Sequence, residues 1–272
     1  MDVKPGYKLT EVGVIPDDWD AAPIGEAGHV MGGRQRSPNR AGELCSYLRV
    51  ANVFDGFIST DDVLQMPFTA AEKKRFLLRA GDVLLNEGQS LDLVGRSAIY
   101  RGSPPDCCFQ NTLVRFRANP DMSPEFAQLV FQHYLRTGVF ASIALRTTSI
   151  AHLGAGRLAV LPMPIPRKAE QEAIAESLTD ADALIESLAQ LIAKKRDIKQ
   201  GAMQELLAGN RRLPNFSQAW EMKALGEVAD MRSGGTPPSS IPGYYGGGIP
   251  WVSISDSSEK IVGRFGLGQF AK

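Results

Sequence analysis

The residues best suited to chemistry in this chain sit in polar loops. Gly32-Gly33-Arg34-Gln35-Arg36 places a guanidinium able to grip guanine in bidentate fashion beside an amide that matches adenine. In Asn86-Glu87-Gly88-Gln89-Ser90, which follows an apolar run, Glu87 would accept a hydrogen bond from a cytosine amine. Gln110-Asn111-Thr112 precedes a further apolar run. Arg146-Thr147-Thr148-Ser149-Ile150-Ala151-His152 mixes hydroxyls suited to phosphate oxygens with cations. Taken singly, each loop reads as ordinary turn and capping polarity. Four of them in a domain with arginine-biased stretches move the balance towards DNA.

Catalytic groups are harder to find. Base methylation needs a glycine-rich cofactor loop and an Asn/Asp-Pro-Pro-aromatic motif; Ser103-Pro104-Pro105-Asp106 ends in a carboxylate where an aromatic must stack on the flipped base, so it reads as a turn. A magnesium nuclease needs clustered carboxylates and a lysine, yet Pro120-Asp121 and Glu221-Met222-Lys223 lie far apart in the sequence. No Gly-x4-Gly-Lys-Ser/Thr phosphate loop occurs, and His29, His133 and His152 are the only histidines. Cys45, Cys107 and Cys108 show no zinc spacing and cannot make a disulfide framework, so they read as free thiols in a reducing cytosol. These features predict no metal, no bound cofactor and a cytoplasmic protein.

Charge sharpens the picture. The 272 residues carry 30 basic and 30 acidic groups, so diffuse attraction of a basic protein to nucleic acid is excluded and any binding must come from local distribution. From Cys107 to Ala169 the only acids are Asp121 and Glu125, against Arg115, Arg117, Arg136, Arg146, Arg157, Arg167 and Lys168. Between Ala27 and Phe54, Arg34, Arg36, Arg40 and Arg49 face Glu43 alone. Such stretches suit phosphates, or equally an ordinary solvated face. No apolar run approaches the roughly 20 residues of a membrane span.

The loops need a scaffold, and the chain repeats part of one. Trp19-Asp20-Ala21-Ala22-Pro23-Ile24-Gly25-Glu26 aligns with Trp220-Glu221-Met222-Lys223-Ala224-Leu225-Gly226-Glu227, and Leu48–Asn52 aligns with Pro250–Ile254 at a nearly constant offset. Gly32-Gly33 and Gly234-Gly235 occupy nearly equivalent positions and read as turns. In the first copy, Ser46–Val53, Asp82–Asn86, Ser97–Tyr100 and Thr112–Phe116 read as short strands. Ser123-Pro124-Glu125 caps a helix, and Ala151–Leu158 is a weaker helix candidate. This is an α+β pattern. After the stiff Leu161–Pro166 hinge, Arg167–Leu207 has no proline. Its Ala181, Leu184, Leu188, Leu191, Ile198 and Ala202 recur at helical steps, interrupted by Lys195 and widened by Ile185, Ile192 and Leu206. Thr179-x-x-Asp182 suggests a capping box and a break there, and Gly209-Asn210 with Pro214 a stop. A helix of roughly 60 Å with such a stripe needs a partner helix.

These strings resemble the specificity subunit of type I restriction–modification systems. The resemblance rests on Leu48-Arg49-Val50-Ala51-Asn52-Val53, Gly81–Gly88 and Phe109–Phe116. It also rests on the hinge running into Glu170-Gln171-x-x-Ile174, on Gln200–Leu207, and on Trp220…Gly226-Glu227…Gly234-Gly235-Thr236-Pro237. It implies a first target-recognition domain at 1–166, a spacer helix at 167–208, a linker at 209–219 and the start of a second recognition domain at 220–272. It further implies that the chain is non-catalytic, binds double-stranded DNA, and recruits methyltransferase subunits carrying S-adenosylmethionine together with a restriction subunit. The expected DNA contacts are Arg34, Gln35, Arg36, Arg49, Asn52, Asn86, Glu87, Gln89, Ser90, Gln110, Asn111, Arg146, Thr147, Thr148 and Ser149. With one recognition domain, one spacer helix and a partial repeat, a homodimer pairing its helices through the stripe from Ala181 to Ala202 is expected, with 220–272 incompletely ordered. The alternatives are a recognition module of a fused methyltransferase or nuclease, and a coiled-coil interaction protein without a nucleic-acid role.

Overall fold

The structure is a computed structural model that describes residues 3–147 and 150–245, together with the backbone of 249–250 and 270–271. The chain divides into two compact units, Met1–Lys195 and Arg196–Lys272.

The first unit opens with β1 (Tyr7–Thr10), β2 (Gly13–Pro16) and β3 (Asp20–Pro23), then the one-turn helix α1 (Ile24–Ala27) and β4 (Gly28–Gly32). Next come β5 (Glu43–Leu48), a 3-10 turn at Val50–Asn52, β6 (Leu64–Phe68), α2 (Ala70–Phe76), β7 (Val83–Asn86) and the short β8 (Gly88–Gln89). Then follow β9 (Ser97–Ile99), β10 (Cys108–Phe109), β11 (Leu113–Ala118), α3 (Pro124–Arg136) and α4 (Val139–Ile143). The unit continues with β12 (Leu145–Arg146), β13 (Ala151–His152), α5 (Ala155–Val160) and β14 (Pro162–Ile165), and runs into α6 (Lys168–Leu207).

At the centre is an antiparallel sheet in the order β4-β11-β7-β9. Its inner strand β7 reads Val-Leu-Leu without alternation because both of its faces are covered. Val83, Leu85, Val114 and Phe116 face the larger core with Phe126, Phe131, Phe140 and Ile24. Leu84, Leu113 and Ala98 face a second core with Leu48, Tyr100, Cys107 and Phe109. The sheet β10-β5-β6 adds a third cluster around Tyr47, Met66, Phe68, Cys45 and Cys108. The alternating face of β11 also carries Arg115 and Arg117. Arg117 makes a fork–fork pair with Asp82, at 2.6 and 2.7 Å, and Asp82 is 1% exposed.

The α3 helix begins as its sequence predicts. The Ser123 hydroxyl accepts from the Phe126 amide at 3.3 Å, and Pro124 occupies the first turn where no amide is needed. The hinge is not a free linker, since Pro162–Ile165 pairs as β14 with β3 and so joins the end of the first copy to its start. Gln171, buried at the head of α6, donates to the carbonyls of Pro166 and Asp121 and accepts from the Ser123 amide. A single side chain thereby ties the long helix to the cap of α3.

Three local expectations are corrected. The helix does not break at Thr179, because its hydroxyl donates 2.8 Å back to the Ala175 carbonyl and so sits within the turn without capping it. Ala151–Leu158 splits into β13 and α5, divided by Gly154 at φ +71. The Ser46–Val53 strand ends at Leu48, where Arg49–Asn52 closes into the 3-10 turn.

In the second unit, Gly209 at φ +74 ends α6. The Ala208 and Gly209 amides donate to Gln204 and Leu206, and the Arg211 amide to Glu205. Beyond it lie α7 (Leu225–Val228), a 3-10 turn at Pro242–Tyr244 and a paired β15 (Ile249–Pro250) and β16 (Phe270–Ala271). Residues 246–248, 251–269 and 272 lie outside the described residues, and with them the expected repeat positions 251–254 and part of the expectation for 220–272.

Candidate nucleic-acid interface

The four polar loops are more than 100 residues apart at their extremes, yet backbone hydrogen bonds stitch them into one ridge. The Asn111 amide donates to the Arg34 carbonyl at 2.9 Å, and Arg34 and Gln110 form a parallel bridge. This approach requires Gly33, because a Cβ there would lie 2.2 Å from the Gln110 carbonyl oxygen. The Glu87 amide donates to Thr112 at 2.9 Å, and the Leu153 amide to Glu87 at 2.8 Å. β8 then pairs with β13 and β13 with β12, which brings Gln89 opposite Ala151 and Ala151 opposite Arg146. The Arg49 segment joins through the Val50 amide, which donates to the Thr112 hydroxyl at 3.1 Å.

Along this ridge Gln35, Arg36, Ser90, Asn111, Arg146 and Thr147 are exposed, and Glu87, Gln89 and Gln110 are half-buried. Among the described residues, no side-chain hydrogen bond or ion pair engages Gln35, Arg36, Gln110, Asn111 or Arg146. The Thr147 hydroxyl donates to the Ile150 carbonyl, and Thr148 and Ser149 lie outside the described residues.

The remaining expected contacts hold the ridge from within. Arg34 is 5% exposed; its Nε lies 2.9 Å from Glu72 Oε1, and its guanidinium stacks 4.7 Å above the Phe68 ring. It faces the fold, which corrects the picture of a bidentate base reader. Glu72 is correspondingly held at about 2, first by the Thr69 amide and then by Arg34. Asn52, 2% exposed, donates to the carbonyls of Ser59 and Asp62 and accepts from the Arg49 amide, while Arg49 pairs with Asp62. Asn86 is fully buried and donates to the Val53 carbonyl. A short polar side chain next to an apolar strand thus serves as backbone support at these two positions.

The arginine bias also divides between structural and surface roles. Arg115 is 3% exposed, donates to His29 Nδ1 at 3.3 Å, lies against Phe109, and is pushed below its ordinary value chiefly by burial. Arg117 serves Asp82, Arg136 pairs with Asp55, and Arg157 holds the His152 carbonyl at 2.6 Å. Arg36 and Arg146 carry the bias onto the ridge, while Arg40, Arg136, Arg167 and Lys168 are also exposed.

The structure adds one ridge residue outside the expected contacts. His152 Nδ1 lies 3.1 Å from Glu87 Oε2. The two residues are 65 positions apart, and no local spacing foreshadows the pair.

Residues 16–194 match the family model of the type I restriction modification DNA specificity domain. A putative type I restriction enzyme MjaX specificity subunit of Methanocaldococcus jannaschii is 25% identical over an alignment of 263 residues that covers 90% of this chain and 61% of that protein. The HsdS subunit from Thermoanaerobacter tengcongensis, solved by crystallography, shares the fold with a TM-score of 0.57 at 20% identity, over 87% of this chain and 61% of that one. A chain from structural work on complex assembly and conformational transition of the type I R-M system gives a TM-score of 0.51 at 17% identity, over 70% of this chain and 46% of that one. This chain spans about three-fifths of the length of the curated relative. The matched segment takes in the stitched loops, the two-sided central sheet, the Gln171 anchor and most of α6, and on that ground the chain belongs to the type I restriction modification DNA specificity domain family.

Proposed function

We propose that this chain reads a DNA sequence through the ridge from Gln35 to Thr147 and brings partner subunits to that site. The observation that carries the reading is the stitching of four polar loops into one continuous edge, with uncommitted amides and guanidiniums on a rigid sheet. Such groups suit base edges and phosphates, whereas the buried Arg34, Asn52 and Asn86 set their spacing. On this reading the protein has no chemistry of its own and works in the cytoplasm. Methyltransferase subunits holding S-adenosylmethionine perform base modification, and a restriction subunit joins them.

The long helix supplies the second half of the proposal. Leu184, Leu188, Leu191 and Ile198 are 49–61% exposed, an apolar face on α6 interrupted by Lys195. Its first half carries Glu170, Glu172, Glu176, Asp180, Asp182 and Glu186 against Lys168; its second half carries Lys194, Lys195, Arg196 and Lys199 against Asp197 and Glu205. Antiparallel pairing with a second copy, centred near Leu191, sets acid against base and puts Ala181 opposite Ala202 and Leu184 opposite Ile198. The assembly is then a homodimer with a two-fold, interrupted target.

Anisotropy titration of a labelled random duplex, with and without the methyltransferase partner, tests the first claim. We expect binding that weakens with salt, and Arg36→Ala and Arg146→Ala should each lower the log–log salt slope by about one. Absence of binding at low salt in both arms would overturn it. Light scattering over a concentration series tests the second; a strict monomer with full helix content would sink the dimer.

A further inference from the structure

We infer that Glu87 is a specificity-determining residue that selects a base bearing an exocyclic amine, adenine or cytosine, on one strand, and that His152 is its positioning residue. The inference rests on the DNA-reading role proposed above.

Glu87 is the single acid in the four loops that form the ridge. A carboxylate brought close to a polyphosphate backbone is repelled unless it accepts a hydrogen bond there. In the major groove the acceptable donors are the N4 amine of cytosine and the N6 amine of adenine. The keto oxygens of guanine and thymine set lone pair against lone pair. Chemistry therefore restricts what an acid in this place can face.

The geometry prepares Glu87 for that task. Its amide donates to Thr112 and its carbonyl accepts from Leu153, so its backbone is clamped from both sides. Because the Glu87 carboxylate only accepts, it is the His152 Nδ1–H that donates to Oε2 at 3.1 Å, leaving Oε1 for a ligand. The His152 backbone is itself held: β13 sets it opposite Gly88, and its ring stands 3.5 Å from where a Cβ at Gly88 would be. Arg157 fixes the His152 carbonyl at 2.6 Å. The side chains of the pair remain accessible, at 40% for His152 and 23% for Glu87. Among the described residues Glu87 has no other ion pair. A half-exposed pair of this kind adds little to fold stability, which leaves presentation of a fixed acceptor as its consequence.

Selection from a randomised duplex pool by the full chain, together with its methyltransferase partner, tests the inference. The wild-type chain should enrich a sequence with at least one position restricted to adenine or cytosine on one strand. Glu87→Gln, which adds a donor and removes the charge, should relax that position by roughly tenfold or more while the others keep their preference. His152→Ala should relax the same position by less. Arg36→Ala should instead weaken all sequences about uniformly. Thermal melts close to wild type establish that the variants fold. An unchanged consensus for both Glu87→Gln and His152→Ala, or an equal weakening at every position, overturns the inference while the DNA-reading role stands. A wild-type chain that enriches no sequence overturns that role, and the inference with it.

Discussion

Ile24–Ala27 and Leu225–Val228 are the same one-turn helix set down twice, about 201 residues apart. Both follow a residue in extended conformation and lead back into extended chain. In the first copy Ile24 is fully buried among Phe116, Phe126 and Met163, and its amide donates to Leu161. In the second, Leu225 is 68% and Val228 62% exposed. Local sequence thus suffices to shape the turn, while burial depends on residues far along the chain. The residues that wall in Ile24 run from Val83 to Met163, at least 59 positions further along the chain. The glycines repeat the lesson: a Cβ at Gly33 would strike the Gln110 carbonyl, but nothing lies within 4 Å of the corresponding position on Gly234.

Truncating the two helices breaks or confirms this contrast most directly. Ile24→Ala opens a cavity in the larger core and should cost about 2–4 kcal/mol. Leu225→Ala removes an exposed side chain and should change stability by less than about 0.5 kcal/mol. Hydrogen exchange of the Leu113–Ala118 strand reads the first, and urea unfolding of the full chain reads both. Equal losses would mean that Leu225 is covered in solution and that the second copy is not bare.

A smaller effect should follow at the glycines. Gly33→Ala must push Gln110 away and should cost about 1–3 kcal/mol, with faster exchange at the Asn111 amide. Gly234→Ala should be close to neutral. If Gly33→Ala is also neutral, the ridge is looser than its hydrogen bonds suggest, and the registration of Arg34 with Gln110 and Asn111 loses its physical basis.

How much of this was legible in the sequence depends on the range of the interactions. The cap of α3, the Gly209 stop and the apolar stripe of α6 are written within a few residues of each other, and they were readable as spacing. The four loops were also readable as chemistry, but not as a single edge, because bonds such as Glu87 to Thr112 and Leu153 follow from the sheet. Composition misled where it could not separate presentation from support: Arg34 and Arg115 look like surface cations, yet each is closed over by aromatic rings. Thr179 misled for the opposite reason. A Ser/Thr-x-x-acid pattern marks a helix start only if the preceding turn is absent, and the Gln171 anchor had already started this helix upstream.

The least of these effects again separates the two copies. All three cysteines lie in the first unit and are buried. Burial, and the neighbouring Cys45, push the Cys107 thiol up to about 12 and Cys108 in the same direction. Burial also raises the Tyr134 phenol to about 12. A thiol raised in the folded state keeps its proton after the unfolded chain has lost it. Above pH 9 the unfolded state therefore binds fewer protons, and stability falls as pH rises toward 12. The contribution is intact below pH 9 and should shrink by about 1 kcal/mol per buried thiol by pH 10. Melting followed at pH 7 and pH 10 should show a lower transition for the first unit, and Cys107→Ala should reduce that alkaline loss. Exchange in the Leu225–Val228 segment, which has no thiol to protect, should show only the intrinsic base-catalysed rise. If the alkaline loss is unchanged in Cys107→Ala, buried thiols are not what distinguishes the walled-in copy from the bare one at high pH.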